Sequence, residues 1–403
     1  MPLSTDSNAR YGILESLDLK GEKDGPLTGT DFVVKDLFDV AGLRTGVGNP
    51  RWLETHEEAS ETAPAVSAIL DAGARLLGKT LTDEFACSLD GINEHFPVPL
   101  NSLYPDRIPG GSSSGSASCV AASIADFGLG TDTVGSIRVP AAYCGLFGFR
   151  PSHSVVPLNG VQPLGPSFDT VSWLARRAEL LERVGSVLLP KVSGNSGIEK
   201  VVFLESAFAL VDEELAEKTR KSALACAAGL EIDPGGEIDG NLLDIWASVF
   251  NLIRGREAWQ IYGDWLRANS SSVSPSILGR LSVGARVSEE ETELARGIIA
   301  ASSDLVDNLL RHERAVCLPT ITRLPPRLDS SAAVLAANRK DNIRLTVIAS
   351  IFGLPQVTLP IKLDCGTIFS ISFFASRQQD RNLLALASRL EAEGLCYSGG
   401  TES

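Results

Sequence analysis

Three stretches of this sequence hold residue types that could carry out acyl-transfer chemistry without a histidine. Gly110-Gly-Ser112-Ser113-Ser-Gly-Ser116 is a glycine- and serine-rich loop, and Gly130-Thr-Asp132-Thr133-Val134-Gly135-Ser136 is a second turn with Arg138 two residues beyond it. Asp31-Phe-Val-Val-Lys35 reads as a short apolar strand that ends on a lysine. Cleaving an amide requires an activated alcohol, a base to take its proton and donors for the developing oxyanion. The successive backbone N–H groups of Thr133, Val134, Gly135 and Ser136 can form such an oxyanion nest. Without histidine, the base would be a lysine kept neutral by burial, its pKa drawn below the free value of about 10.4. Each feature alone reads more readily as a tight turn or a solvated strand end than as a site. What singles them out is the pairing of two such turns across a short helix.

Competing chemistries fit less well. Gly73-Ala-Arg-Leu-Leu-Gly78-Lys79-Thr80 matches the phosphate-loop expression, but that loop works only between a strand and the helix whose N-terminus faces the phosphates. Here a helical pattern runs into Gly73 and a strand occupies the middle of the motif. The plain reading is a helix C-cap glycine followed by a strand end. The chain has four histidines, His56, His95, His153 and His312; each reads as a surface or packed histidine rather than the oriented base of a serine–histidine triad, and no two lie within a helical turn of each other, so no metal site is indicated.

These stretches must be held by regular elements. A helix is expected over 62–72, with Thr62 as its cap, Pro64 in its first turn and Val66, Ile69 and Leu70 at helical spacing. Leu76-Leu77 suggests a strand, Ala117 to Ala125 a tightly packed helix, and Phe127 onward a return to strand. Lys191 to Gly197 reads as a linker before a strand at Val201–Leu204. Residues 212–310 read as mostly helical: Ser288 with Glu291 makes a capping box, and Leu294, Ile298, Leu305 and Leu309 form an apolar stripe behind it. Trp246 to Trp265 is the part of this region expected to shape a pocket, with Trp259 and Tyr262 read as ordinary core aromatics. Strands near 357–359 and 368–374 precede a helix opened by Asp380, with Leu383, Leu384, Ala387 and Leu390 facing inward. Strands and helices mixed throughout define an α/β class.

Composition narrows the partners. A hydrophobic fraction of 44% over 403 residues supports a large core, and a formal net charge of −14 with no Lys/Arg-rich run argues against nucleic acid. Seven scattered cysteines with no CxxC fit reduced thiols. Met1 to Arg10 lacks the apolar core of a signal peptide, and no apolar run reaches the roughly 20 residues that span a bilayer. The expectation is a soluble, cytoplasmic protein with no membrane partner.

Taken together, the two serine turns and the lysine strand resemble the amidase signature family. Gly78-Lys-Thr-Leu-Thr-Asp-Glu-Phe-Ala86 is similar to it too, which accounts for the false phosphate loop, as are Gly145-Leu-Phe-Gly-Phe-Arg-Pro-Ser152 and Gly353-Leu-Pro-Gln-Val-Thr-Leu-Pro360. Within the family, the Phe149 to His153 stretch looks most like the plant indole-3-acetamide hydrolases and their bacterial relatives. The resemblance implies a single α/β domain with a central mixed sheet covered by helices on both faces. It places the catalytic core at 26–190, a variable helical region at 191–310 and a sheet-completing part at 311–398. It implies Ser136 as nucleophile, Ser112 as a bridging serine after a cis Gly111–Ser112 peptide, and Lys35 as base. Thr133 to Ser136 would supply the oxyanion amides, with Asp132, Arg138 and Ser113 as structural support. It implies a small-molecule amide substrate and neither a metal nor an organic cofactor. Long members carry an extra N-terminal segment linked to dimerisation, and a homodimer remains an allowed assembly. The family has glycine where Val134 stands; the β-branched residue keeps its N–H, so a narrowed pocket is expected. Two other readings remain: the glutaminase subunit of a tRNA amidotransferase, and a catalytically silent amidase-like scaffold.

Overall fold

The structure is a computed structural model that describes residues 9–21, 23–191, 197–311 and 314–398. His312, most of the expected linker and residues 1–8 lie outside the described residues. Among the described residues, eleven strands form one sheet. In chain order they are β1 (Ile13–Lys20), β2 (Asp31–Lys35), β3 (Arg75–Thr80), β4 (Phe127–Thr131), β5 (Phe147–Arg150) and β6 (Val171–Ala175). Then follow β7 (Lys200–Phe203), β8 (Glu231–Ile232), β9 (Arg314–Pro319), β10 (Gln356–Lys362) and β11 (Ile368–Ala375). Their spatial order is β1-β3-β2-β4-β6-β5-β10-β11-β9-β7-β8. The sheet is mixed: β2 runs parallel to β3 and β4, whereas β6 is antiparallel to β4 and β5. Helices surround it, giving a single mixed α/β domain.

Strand β2 is buried from Phe32 to Lys35, and its Phe-Val-Val run suits a central position flanked on both edges. Val34 pairs with Leu129, so the carboxyl ends of β2 and β4 emerge side by side. The helix Ser114–Ala121 between the two serine turns is built from small residues, and this permits close approach to β4. A Cβ added at Gly128 would come within 2.9 Å of Ser116 Cβ.

Several expectations need correction. The helix near 62–72 runs Pro64–Asp71 from an Ala63 cap, and Thr62 instead accepts a hydrogen bond from the Ala41 N–H at 3.1 Å. The capping box of Ser288 and Glu291 opens a helix over Glu289–Leu309, but its buried face is Thr292, Ala295, Val306 and Leu309. Leu294 and Ile298 are exposed, at 65% and 41%, whereas Leu309 is buried and Leu305 packs half-buried against the same cluster, so the expected stripe holds only toward the C-terminal end of the helix. Asp380 begins the helix Asp380–Ala392, yet its carboxylate is buried and accepts from the Ser152 N–H and hydroxyl, both at 2.7 Å. The false phosphate loop is resolved as expected: a helix ends, Gly73 takes φ +93°, and Lys79 lies on β3 in a buried ion pair with Asp36 at 2.8 Å.

Candidate active site

Lys35 ends β2 with no exposed surface. Its Nζ donates to Ser112 Oγ at 2.7 Å and to Thr131 Oγ1 at 2.9 Å. Thr131 ends β4, so the parallel register of two strands sets this contact. Burial draws the Lys35 pKa down to about 7, working against the nearby carboxylates of Asp83, Asp169 and Asp132. An amine so placed is neutral in large part near pH 7, which a solvated lysine is not.

Ser112 follows a cis peptide after Gly111. The next residue, Ser113, ties the two turns together: its N–H donates to the Ser136 carbonyl at 3.2 Å and its hydroxyl to the Thr131 carbonyl at 3.4 Å. Ser136 is 3% exposed and lines a cavity of about 280 Å³. Lys35 and Ser112, 77 residues apart in sequence, thus meet at the carboxyl ends of β2 and β4, and the backbone bond from Ser113 to Ser136 sets the second serine turn beside them. None of the described histidines lines that cavity.

The turn from 132 to 138 is held from beneath. Asp132 accepts from the N–H groups of Gly135 at 2.8 Å and Ile137 at 3.1 Å, and from Arg138 Nη2 at 2.7 Å. Burial alone would raise its pKa, but the Arg138 and Arg150 guanidiniums and these N–H donors hold it well below the carboxylate range. Arg138 reaches on to the Thr346 carbonyl at 2.7 Å and Gln356 Oε1 at 2.6 Å. Gly135 has φ 126°, and a Cβ there would press against Thr346 and Val139 at 3.2 Å, so glycine is required at this position. Val134 stays out of the left-handed region and packs in an apolar cluster with Phe168 and Phe250. The bulk that replaces the family's glycine therefore falls on the cavity wall. The Thr133 hydroxyl donates to Asp169 at 2.6 Å, and Asp169 also accepts from the N–H of Leu164 and Gly165.

Sequence reasoning missed Thr131, Asp83, Arg150 and Asp169. Arg150 lies in the Phe-Gly-Phe-Arg-Pro stretch already singled out, and its Nη1 meets Asp132 at 3.1 Å. Nothing in the spacing marked Thr131, because its role depends on which strands pair. The helical middle does reach the cavity, through Ala247, Phe250, Asn251 and Arg254 of the helix Gly240–Ala268. Trp246 and Tyr262 are core residues, 0% and 1% exposed.

A family profile described as "Amidase" matches residues 7–242. "Amidase 1" of Arabidopsis thaliana is 36% identical over 397 residues, covering 91% of this chain and 93% of that protein. "Outer envelope protein 64, chloroplastic" of the same plant is 35% identical over 387 residues, covering 89% of this chain and 65% of that protein. A solved structure described as "Crystal structure of amidase" superposes with a TM-score of 0.80 at 29% identity, over 92% of this chain and 85% of that one. Fold and likeness together define a hydrolase acting on amides. The chain belongs to the amidase family.

Proposed function

We propose that the chain cleaves the C–N bond of a small or aryl-acyl carboxamide through an acyl-enzyme on Ser136, with Ser112 and Lys35 as the proton relay. The observation that carries this reading is the fully buried Lys35 amine in hydrogen-bond contact with Ser112. In this relay neutral Lys35 keeps an N–H on Thr131 and accepts from the Ser112 hydroxyl, reversing the donation that the ammonium makes across the same 2.7 Å contact. Ser136 Oγ attacks the amide carbon and passes its proton to Ser112, whose own proton goes to Lys35. The reversed relay protonates the departing amine, and water then releases the acid. The oxyanion donors in this reading are the N–H groups of Thr133, Val134 and Ser136. The Gly135 N–H donates to Asp132, so Gly135 serves the nest through its backbone conformation. Asp132, Arg138 and Ser113 hold the turn in place.

In this reading the core at 26–190 carries the chemistry, 191–310 shapes the substrate pocket and 311–398 completes the sheet. No described helix is long and apolar enough to cross a membrane, and a cytoplasmic enzyme, alone or as a homodimer, is the setting proposed. The relation to an outer envelope protein keeps the silent-scaffold reading in play, and the decisive experiment addresses it directly. A fluorophosphonate probe is expected to label Ser136, and Ser136→Ala to lose at least about 10³-fold in kcat on an amide panel that includes L-glutamine, with the fold retained by circular dichroism. Substantial turnover by the alanine variant would sink the assignment.

A further inference from the structure

The cavity that holds Ser136 also holds four cations. Arg254, Arg280, Arg339 and Lys340 all line it, and no acidic residue does among the described residues. This runs against the chain as a whole, whose 50 acidic residues outnumber 36 basic ones. The four come from three separate helices, Gly240–Ala268, Pro275–Ser282 and Ala332–Ile351, so they converge by tertiary folding.

Asp90 and Asp83 act on Arg280 at longer range, and among the described residues a close ion pair is made by Arg339 alone of the four. Arg339 pairs with Asp90, which lies beneath the wall and also accepts from Ser88. Arg280 donates to the Cys87 carbonyl at 3.0 Å. Arg254 reaches Asn251 Oδ1 at 3.3 Å and Cys87 Sγ at 3.5 Å. Both are uncharged acceptors. Among the described residues, no carboxylate lies within 4.0 Å of Arg254, Arg280 or Lys340. Half-buried guanidiniums facing one another are costly unless an anion sits between them, and their planar forks match a carboxylate well. Much of the remaining wall is apolar, from Leu89, Val134, Leu164, Phe250 and Ile343, with Ser88, Thr133 and Asn251 among the rest. A cavity of about 280 Å³ falls near the low end of ligand pockets, roughly 300–1,000 Å³.

We infer that the amide substrate is itself an acid: a short carboxylate-bearing amide whose carboxylate docks on the Arg254, Arg280, Arg339 and Lys340 cluster while its carboxamide reaches Ser136. This rests on the proposed function above and adds the substrate class to it. The apolar wall then accommodates a short hydrocarbon or aryl spacer between the two polar ends. Water and ammonia chemistry at Ser136 is unchanged; the cations contribute binding and orientation.

The test compares monoamides of short dicarboxylic acids with uncharged aliphatic amides of the same length, on the full chain. The acid-bearing amides are expected to have kcat/KM higher by about 10- to 100-fold, as charge-assisted hydrogen bonds allow. Arg254→Gln should collapse that ratio mainly through KM, and added salt should raise KM for the acids selectively. Lys340 is exposed, so Lys340→Gln gives a second readout that does not depend on a buried substitution; its ratio should fall as well. Equal or lower kcat/KM for the acids, in a protein whose Ser136 still takes the fluorophosphonate, would overturn the substrate class and leave the hydrolytic reading standing. Absence of both labelling and turnover on every amide would instead overturn the hydrolytic reading, and the substrate class with it.

Discussion

At the scale of single residues, Lys35 sits between two opposed influences. Burial favours the neutral amine, and the carboxylates of Asp83, Asp169 and Asp132 favour the ammonium. Burial wins by enough to bring the pKa to about 7. In the proposed relay only the neutral amine accepts a proton, so kcat/KM should rise with pH through about 7 and level off above it, losing about tenfold per unit on the acid side. Asp83 offers a way to check the cause. It is wholly buried, its Oδ1 has no partner, and burial with the neighbouring Asp90 pushes its own pKa up to about 7. Whenever it is ionised it stabilises the Lys35 ammonium. Asp83→Asn removes that charge, lowers the Lys35 pKa and should move the midpoint of the kcat/KM profile toward acid. A midpoint that stays put or moves toward alkali would show that Lys35 is not the titrating base.

At the scale of elements, the Asp132–Arg138–Arg150 cluster joins parts of the chain far apart in sequence. Arg150 belongs to β5, Arg138 opens the helix Arg138–Cys144, and Arg138 also reaches Thr346 of the helix Ala332–Ile351 and Gln356 of β10. All three charged side chains have no exposed surface. Removing the one carboxylate leaves two buried guanidiniums facing each other, so Asp132→Ala should cost about 3–5 kcal/mol of stability in urea unfolding. A loss below about 1 kcal/mol would mean that water or main-chain acceptors already satisfy both arginines. The same cluster shows where the sequence could be read and where it could not. Elements governed by local rules were legible: the Phe-Val-Val strand before Lys35, the capping box at Ser288 and Glu291, and the inward face of Leu383, Leu384, Ala387 and Leu390. The serine turns were legible because their residue types are rare at that spacing. What could not be read depends on pairing at a distance. Thr131 becomes a partner of Lys35 only once β2 lies beside β4. Leu294 and Ile298 fail as core residues because the packing partner, the helix Gly240–Ala268, meets a neighbouring stripe. The cavity cations are unremarkable surface residues until three helices bring them together.

At the scale of the whole molecule, the N-terminal half, with the proposed catalytic end of the sheet, and the helical middle are joined through an aromatic cluster. Trp52 and Phe85 of the N-terminal half meet Tyr262 and Trp265 of the helix Gly240–Ala268, with ring centroids 5.0 Å apart for Phe85–Tyr262 and 5.2 Å for Trp52–Trp265. That helix also presents Phe250 and Arg254 to the cavity, so its seating governs both the apolar wall and one of the cations. Tyr262 fixes the seating with a polar contact: its hydroxyl donates to the Pro163 carbonyl at 2.5 Å, one residue before the cavity-lining Leu164. Tyr262→Phe keeps the ring and leaves that part-buried carbonyl without its donor, at a cost of about 1 kcal/mol. Because the proposed relay of Lys35, Ser112 and Ser136 draws on β2 and the serine turns, it should survive the change. The effect should therefore fall on substrate binding: KM rises several-fold while kcat stays within about twofold. A fall in kcat at constant KM would place Tyr262 in communication with the reacting groups themselves and would contradict this division between a rigid catalytic sheet end and an adjustable helical wall.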